Sequence, residues 1–310
     1  MRALLLRRLL QMAAVAWGVG TLTFLLMRAL PGDMAYRIAA SRYGQDNVDA
    51  YAADQVRQEL NLDGSAWSAY FQWFSDLVTG NLGRSLVNGM PVMDELGAMM
   101  GHSLVLAITA MLLSLVIAIP MGVLSARVPW VDHLSVLGSA GVRATPLFVL
   151  GVVAIILFAI EIPLFPVAGA EGPIYLVLPM ITLAVSLAAV TNRIVRERTH
   201  EVVRAPFYQF ARTKGLSESR AFMHHGIRNI ALPVITFVGI QLVVVMEGMV
   251  MIESLFSWPG LGHGLAHAVF ARDIPVIQGA ALLMGILFVA LNTLVDIACY
   301  FIDPSTQEAA

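Results

Sequence analysis

Two ionisable residues stand inside stretches that otherwise read as hydrocarbon: Arg143 in the apolar run 134–160 and Glu247 in the run 231–252. Arg143 lies about nine residues into its run, roughly 13 Å at 1.5 Å per residue, close to the centre of a bilayer. A charge there costs at least about 2.5–3.5 kcal/mol on insertion scales, so each group needs a partner or water. The two can pair with each other inside the fold. Arg143 can snorkel to the surface. Alternatively, both line a path and meet a charged or zwitterionic solute. Spacing leaves all three arrangements open.

A second group is basic and aromatic. The segment from Arg193 to Arg228 carries Arg193, Arg196, Arg198, Arg204, Arg212, Lys214, Arg220 and Arg228, against Glu197, Glu201 and Glu218. Within it, Phe207-Tyr208-Gln209-Phe210-Ala211-Arg212-Thr213-Lys214 reads as a short helix ended by Gly215, with Ser217 placed to cap the next helix. The plainer account is a membrane-proximal loop that obeys the positive-inside rule. The order A-R-x-K-G, then H-x-x-R-N from His225 to Asn229, then Pro233 opening an apolar run, is more specific than a charge run. A third group, Ser257-Trp258-Pro259-Gly260, reads as a tight turn at a membrane surface, because Pro fixes φ and Gly permits positive φ. It is either a structural turn or a docking surface.

Enzyme chemistry is missing. No GxxxxGK[ST] phosphate loop occurs, since Lys214 is the only lysine and Gly215-Leu216 follow it. There is no GxSxG elbow and no triad-like grouping of Ser and His. Of the histidines, only His263 and His267 sit four apart, and the Gly-rich stretch around them weakens a helical reading. No metal-ligand spacing is present, and the single Cys299 removes disulfides and Cys-based zinc together. No catalytic residue and no metal ligand is assigned.

These groups need positioning elements, and composition says which kind. Hydrophobic residues make up 58% of the 310, charged residues only 13%, and mean hydropathy is +0.76. Soluble domains run at about 45–50% apolar and about 25% charged, so this chain lacks the polar surface to face water all round. Its net charge of -2 offers nothing to nucleic acid. A bilayer-crossing helix needs about 20 apolar residues, and such runs fall at 9–30, 103–124, 134–160, 174–190, 231–252 and 276–302. The first is an uncleaved span, because no small-residue cleavage site follows it. Arg2, Arg7, Arg8 and the basic segment put both termini and residues 193–230 in the cytoplasm. The acidic segment 31–102, with Asp33, Asp46, Asp49, Asp54, Glu59, Asp63, Asp76, Asp94 and Glu95, belongs outside. Within it Trp67, Tyr70, Phe71, Trp73 and Phe74 form an aromatic cluster, an interfacial belt or a surface for a partner. The expected division is therefore a cytoplasmic N-terminus 1–8, a first span 9–30, an extracytoplasmic helical segment 31–102, a core 103–303 and a cytoplasmic C-terminus 304–310.

Further motifs run collinear with that topology: Leu30-Pro31-Gly32-Asp33, Leu60-Asn61-Leu62-Asp63, Gly80-Asn81-Leu82-Gly83-Arg84-Ser85, Glu253 through Gly262, Arg272-Asp273-Ile274-Pro275 and Asp303-Pro304. Together with the basic segment they resemble the inner-membrane permeases of the dipeptide, oligopeptide and nickel ABC importers, over the whole chain. One departure lies in the permease signature E-A-A-x3-G, where this chain has Gln209, Phe210 and Ala211 before Gly215. The resemblance implies an all-α membrane protein of the type I permease fold, with six spans, in the bacterial inner membrane.

It also implies that the chain is half of a translocation pathway and not an enzyme. A homologous permease supplies the other half, two ABC ATPase subunits bind and hydrolyse ATP with Mg2+, and an extracytoplasmic solute-binding protein delivers the cargo. No cofactor belongs to this chain; its neighbours are membrane lipid and those subunits. The coupling segment that meets an ATPase groove comprises Arg204, Phe207, Tyr208, Phe210, Ala211, Arg212, Lys214 and Gly215, with Phe207 and Phe210 as apolar anchors. Arg143 and Glu247 are pathway candidates, and Ser257, Trp258, Pro259 and Gly260 are docking candidates for the binding protein. Di- or oligopeptide cargo stands first. Nickel, a metal chelate or another small solute is the alternative, and a non-import assembly or export component a third reading.

Overall fold

The computed structural model describes residues 2–29, 32–44, 48–59 and 65–302; the side chains of residues 2–5, 27, 28, 66, 243, 247 and 298–302 lie outside that description. The motif residues Leu30, Pro31, Leu60 to Asp63, Asp303 and Pro304 therefore also lie outside it. Among the described residues the regular structure is helical, with one isolated bridge between Arg84 and Pro91 and no strand. Five helical stretches are long and apolar enough to cross a membrane: Leu6–Leu26, Val92–Ser125, Pro173–Arg204, Glu218–Met246 and Ile274–Ile297. A bent pair of helices makes a sixth if it counts as one span. The architecture is the all-α membrane fold expected of the sequence.

The chain divides into two compact units. The first comprises Met1–Leu4, Leu104–Trp258 and Ala290–Ala310. It holds most of α5 (Val92–Ser125), then α6 (Pro129–Ala144), α7 (Leu147–Ile155) with a π turn at Ile156–Glu161, α8 (Val177–Arg204), α9 (Pro206–Thr213), α10 (Glu218–Ala221) and α11 (Ile227–Leu255). Its main core joins Leu178, Leu183 and Leu187 of α8 to Val245, Met249 and Ile252 of α11, with Leu106 of α5 and Phe256. α8 tolerates buried hydroxyls because they bond back along the helix: Thr182, Thr191 and Thr199 donate to the carbonyls four residues earlier at 2.8, 3.0 and 2.7 Å. Gln241 ties α11 to α8 by donating to Leu187 O at 3.0 Å and to Thr191 Oγ1 at 3.1 Å. α5 approaches α8 backbone to backbone at Gly122, where a Cβ would lie 2.8 Å from the Asn192 carbonyl oxygen. Gly239 likewise admits Val295, whose Cγ1 would lie 2.5 Å from an added Cβ. It permits close packing of helices.

Two expectations change here. The run 134–160 is not one straight span: α6 and α7 meet at 102°. Pro146 offers no N–H and disfavours a helical residue before it, so Thr145 is extended (φ -98, ψ 125). Arg143 accordingly sits in the last turn of α6, beside a break, and not midway along a continuous helix. The segment 193–230, expected as a loop carrying a short helix before Gly215 and the cap of a second at Ser217, is almost wholly helical. α8 runs on to Arg204, and α9, α10 and a π turn at Phe222–Gly226 lead into α11.

The second unit comprises Leu5–Ser103 and Pro259–Val289. It holds nearly all of α1 (Arg2–Ala29), then α2 (Met34–Tyr43), α3 (Ala50–Glu59), α4 (Ala66–Val78), the first turns of α5, then α12 (Leu261–Ala271) and the first half of α13 (Ile274–Ile302). α2 and α3 bury Ala35, Ile38, Ala39, Ala53 and Val56 against each other. Asp33 caps α2 through the Ala35 N–H at 2.9 Å and meets Arg57 of α3 at 2.5 Å. Burial pushes the Asp33 carboxyl up, but the Arg57 hydrogen bond and the cap outweigh it and hold it below the usual aspartate value. The aromatic cluster divides over α4. Tyr70 and Trp73 pack on Phe24 of α1, with ring centroids 5.3 and 6.3 Å away, while Trp67, Phe71 and Phe74 stay exposed.

Candidate functional site

α9 begins with Pro206 at its first position, after an extended Ala205, the arrangement that a missing N–H favours. It ends at Gly215, whose φ of +91 only glycine adopts at little cost. Tyr208 and Ala211 are 3% and 7% exposed, and Tyr208 joins a core cluster with Val195, Val202 and Ile230. The Tyr208 hydroxyl donates to the Glu218 carbonyl at 3.4 Å. Phe207 and Phe210, 43% and 60% exposed, face away from the core. Arg204, Arg212 and Lys214 are exposed around them, and the Lys214 ammonium lies 4.7 Å from the Phe210 ring centroid. The eight residues expected to act together thus divide: Tyr208 and Ala211 anchor the helix, and the aromatic and basic side chains are offered outward. Ser217 caps α10 as its position predicts, accepting from Arg220 N at 3.4 Å. Glu218 holds Arg127 and Arg212, each at 3.8 Å. An anchored platform results, apolar at its crest and basic at its rim.

A cavity of about 420 Å3 opens between α6 and α8. Arg143 is exposed and lines it together with Ser135, Ser139, Asn192 and Arg193. Asp132 accepts a two-pronged hydrogen bond from Arg196, one prong at 2.6 Å, and the Asn192 amide donates to Ser135 and, at 3.4 Å, to Ser139. The sequence reading missed Asp132, Asn192 and both serines. A polar residue every three or four positions on α6, at 132, 135 and 139, was the signal available. The Glu247 side chain lies outside the described residues. Arg143 has no hydrogen bond or ion pair among those described.

At the end of α11, Trp258 N donates to Glu253 O at 2.8 Å and Ser257 N to Ser254 O at 3.4 Å, the two bonds of a Schellman ending. The left-handed residue this ending requires is Ser257, at φ 50, and not Gly260, which is extended (φ -93, ψ 179). Of the four docking candidates only Ser257 is exposed; Trp258 and Gly260 are buried and Pro259 is half-buried. Ser257→Gly should therefore raise stability by about 1 kcal/mol, since only glycine sits there without strain. Thermal unfolding of the detergent-solubilised chain measures it, and an unchanged or lower midpoint counts against the strain.

In the second unit, motifs far apart in sequence converge on α12. Arg272, buried and left-handed at φ 55, donates to Gly32 O at 3.1 Å. The buried Asp273 carboxylate accepts the Ser85 hydroxyl and the backbone N–H groups of Leu86, at 3.1 Å, and Val87, at 3.4 Å. α12 is a regular helix despite its glycines, correcting the weak helical reading of that stretch, and it stacks His263 and His267 edge to face, 4.5 Å between ring centroids. Burial first, and then the neighbouring His267, lower the His263 pKa. Among the described residues no group of three or more potential metal ligands occurs.

Residues 115–308 match the family described as "Binding-protein-dependent transport system inner membrane component". The chain is also 34% identical over 304 residues to the glutathione transport system permease protein GsiC of Escherichia coli strain K12, covering 97% of this chain and 98% of that protein. The GsiC proteins of Shigella dysenteriae serotype 1 and Escherichia coli O6:H1 match over the same span at the same identity. The family match takes in α9, the cavity between α6 and α8, and the turn at Ser257, and the relatives extend the likeness across α1 to α4. The chain belongs to the binding-protein-dependent transport system inner membrane component family and is a multi-pass permease subunit of an ABC importer, not an enzyme.

Proposed function

We propose that this permease forms half of the import path for di- and oligopeptides, paired with a homologous permease and driven by two ABC ATPase subunits that bind ATP and Mg2+. A solute-binding protein delivers the peptide on the extracytoplasmic side, and both termini and α9 lie in the cytoplasm. The observation that carries this reading is α9 itself: an anchored helix with Phe207 and Phe210 exposed inside a basic rim. Aromatic and Arg side chains of this kind are the usual anchors in a partner's groove. Peptide cargo is favoured because the relatives carry glutathione, itself a small peptide, in their name. Arg143 and Glu247 belong to the path, and Ser257 to the surface that meets the binding protein.

Uptake of labelled di- and tripeptides, compared between cells with and without the chain, tests the reading. Loss of peptide uptake on deletion is expected. Unchanged peptide uptake together with lost nickel uptake would transfer the permease to the metal branch.

A further inference from the structure

We propose that the cavity between α6 and α8 is a binding site for a solute carboxylate, with Arg143 as the cation that meets it. Arg196 is taken by Asp132, and Arg193 by Glu197 at 3.0 Å. Arg143 has no counter-charge among the described residues, and among them the lining therefore carries one positive charge more than its carboxylate partners offset. A planar guanidinium accepts a carboxylate through two parallel N–H donors.

A second observation points to a ligand beside that charge. Asn192 is only 6% exposed, and its amide oxygen has no hydrogen-bond partner. A buried amide oxygen left unpaired costs about 1–3 kcal/mol, and Asn192 lines the same cavity. The serine hydroxyls that receive its N–H groups can also donate, so the amide can equally turn over and present NH2. Either way one end of the amide is unspent, suited to the N–H or oxygen of the peptide group next to a terminal carboxylate. The volume of about 420 Å3 falls in the range of small-molecule sites, about 300–1,000 Å3. The site deepens the peptide-import reading and rests on it.

The test uses the complete transporter with Cys299→Ser and Ala140→Cys, which places a thiol on the cavity wall outside the Asn192 hydrogen bonds. Its reaction with negatively and positively charged methanethiosulfonates is measured relative to free cysteine. Arg143→Gln should lower the preference for the anionic reagent about tenfold, and Arg143→Lys should largely retain it. A dipeptide with a free C-terminus should slow the reaction; the same dipeptide as its C-terminal amide should not. Equal protection by acid and amide, or a preference indifferent to Arg143→Gln, overturns the site. Protection that instead follows anionic lipid in the surrounding vesicle assigns the charge to a headgroup and overturns it equally. If Arg143→Gln does not accumulate, the acid-against-amide comparison in the Arg143 protein still decides. Intact peptide uptake with indifferent thiol chemistry sinks the carboxylate site alone, whereas peptide uptake independent of the chain sinks the import reading.

Discussion

Replacing Phe207 and Phe210 together with alanine should abolish coupled transport while the chain still reaches the membrane. Both rings face away from the core of their own unit, so truncation opens no cavity there. Tyr208, which joins the cluster of Val195, Val202 and Ile230, and the buried Ala211 are untouched. What disappears is apolar area available to a partner. At an interface hot spot each such loss costs about 2 kcal/mol or more, on the order of 30-fold in affinity. Co-purification of the ATPase subunits and solute-stimulated ATP hydrolysis are the measurements. Normal hydrolysis and uptake in the double variant would exclude α9 as the coupling contact.

Asp273→Ala should be the most destabilising single change in the second unit, by about 3 kcal/mol or more. The carboxylate receives three donors, the Ser85 hydroxyl and the Leu86 and Val87 N–H groups, and the aspartate is buried. Val87 N–H keeps Ser85 Oγ as an acceptor at 3.2 Å, so the Ser85 hydroxyl and the Leu86 N–H are the two donors stranded, each at a cost of about 1–3 kcal/mol. Asp273→Asn should cost less, because one amide oxygen can still accept. Membrane abundance and the thermal midpoint should fall in the order wild type, Asn, Ala. Equal stability of Ala and wild type would mean that water replaces the carboxylate without loss.

The contrast between these two sites shows what the sequence could reveal. α9 was legible because its signals are local: a Pro start, a Gly stop, Ser217 as the next cap and aromatic residues among arginines. The apolar spans were legible for the same reason, length being a local property. Asp273 was not, because its partner Ser85 lies 188 positions away and nothing in either neighbourhood announces the other. The break at Thr145 was hidden by tolerance: proline within an apolar run is common in membrane helices, so Pro146 alone does not say whether the chain bends or turns through 102°. The helicity of residues 193–204 was hidden by charge, since a segment rich in arginine reads as loop when only apolar residues are counted.

α8 is a single helix of 28 residues, about 42 Å at 1.5 Å per residue. Only Ala205 separates it from α9, which makes it a crank arm whose short end is α9. Force applied at Phe207 has no slack to take up before it reaches Asn192 and the cavity wall, because a regular helix resists stretching. The permease would then convert a push at the crest of α9 into a shift beside Arg143 in the same stroke. Its gearing would be set by helix geometry and not by the stiffness of a linker.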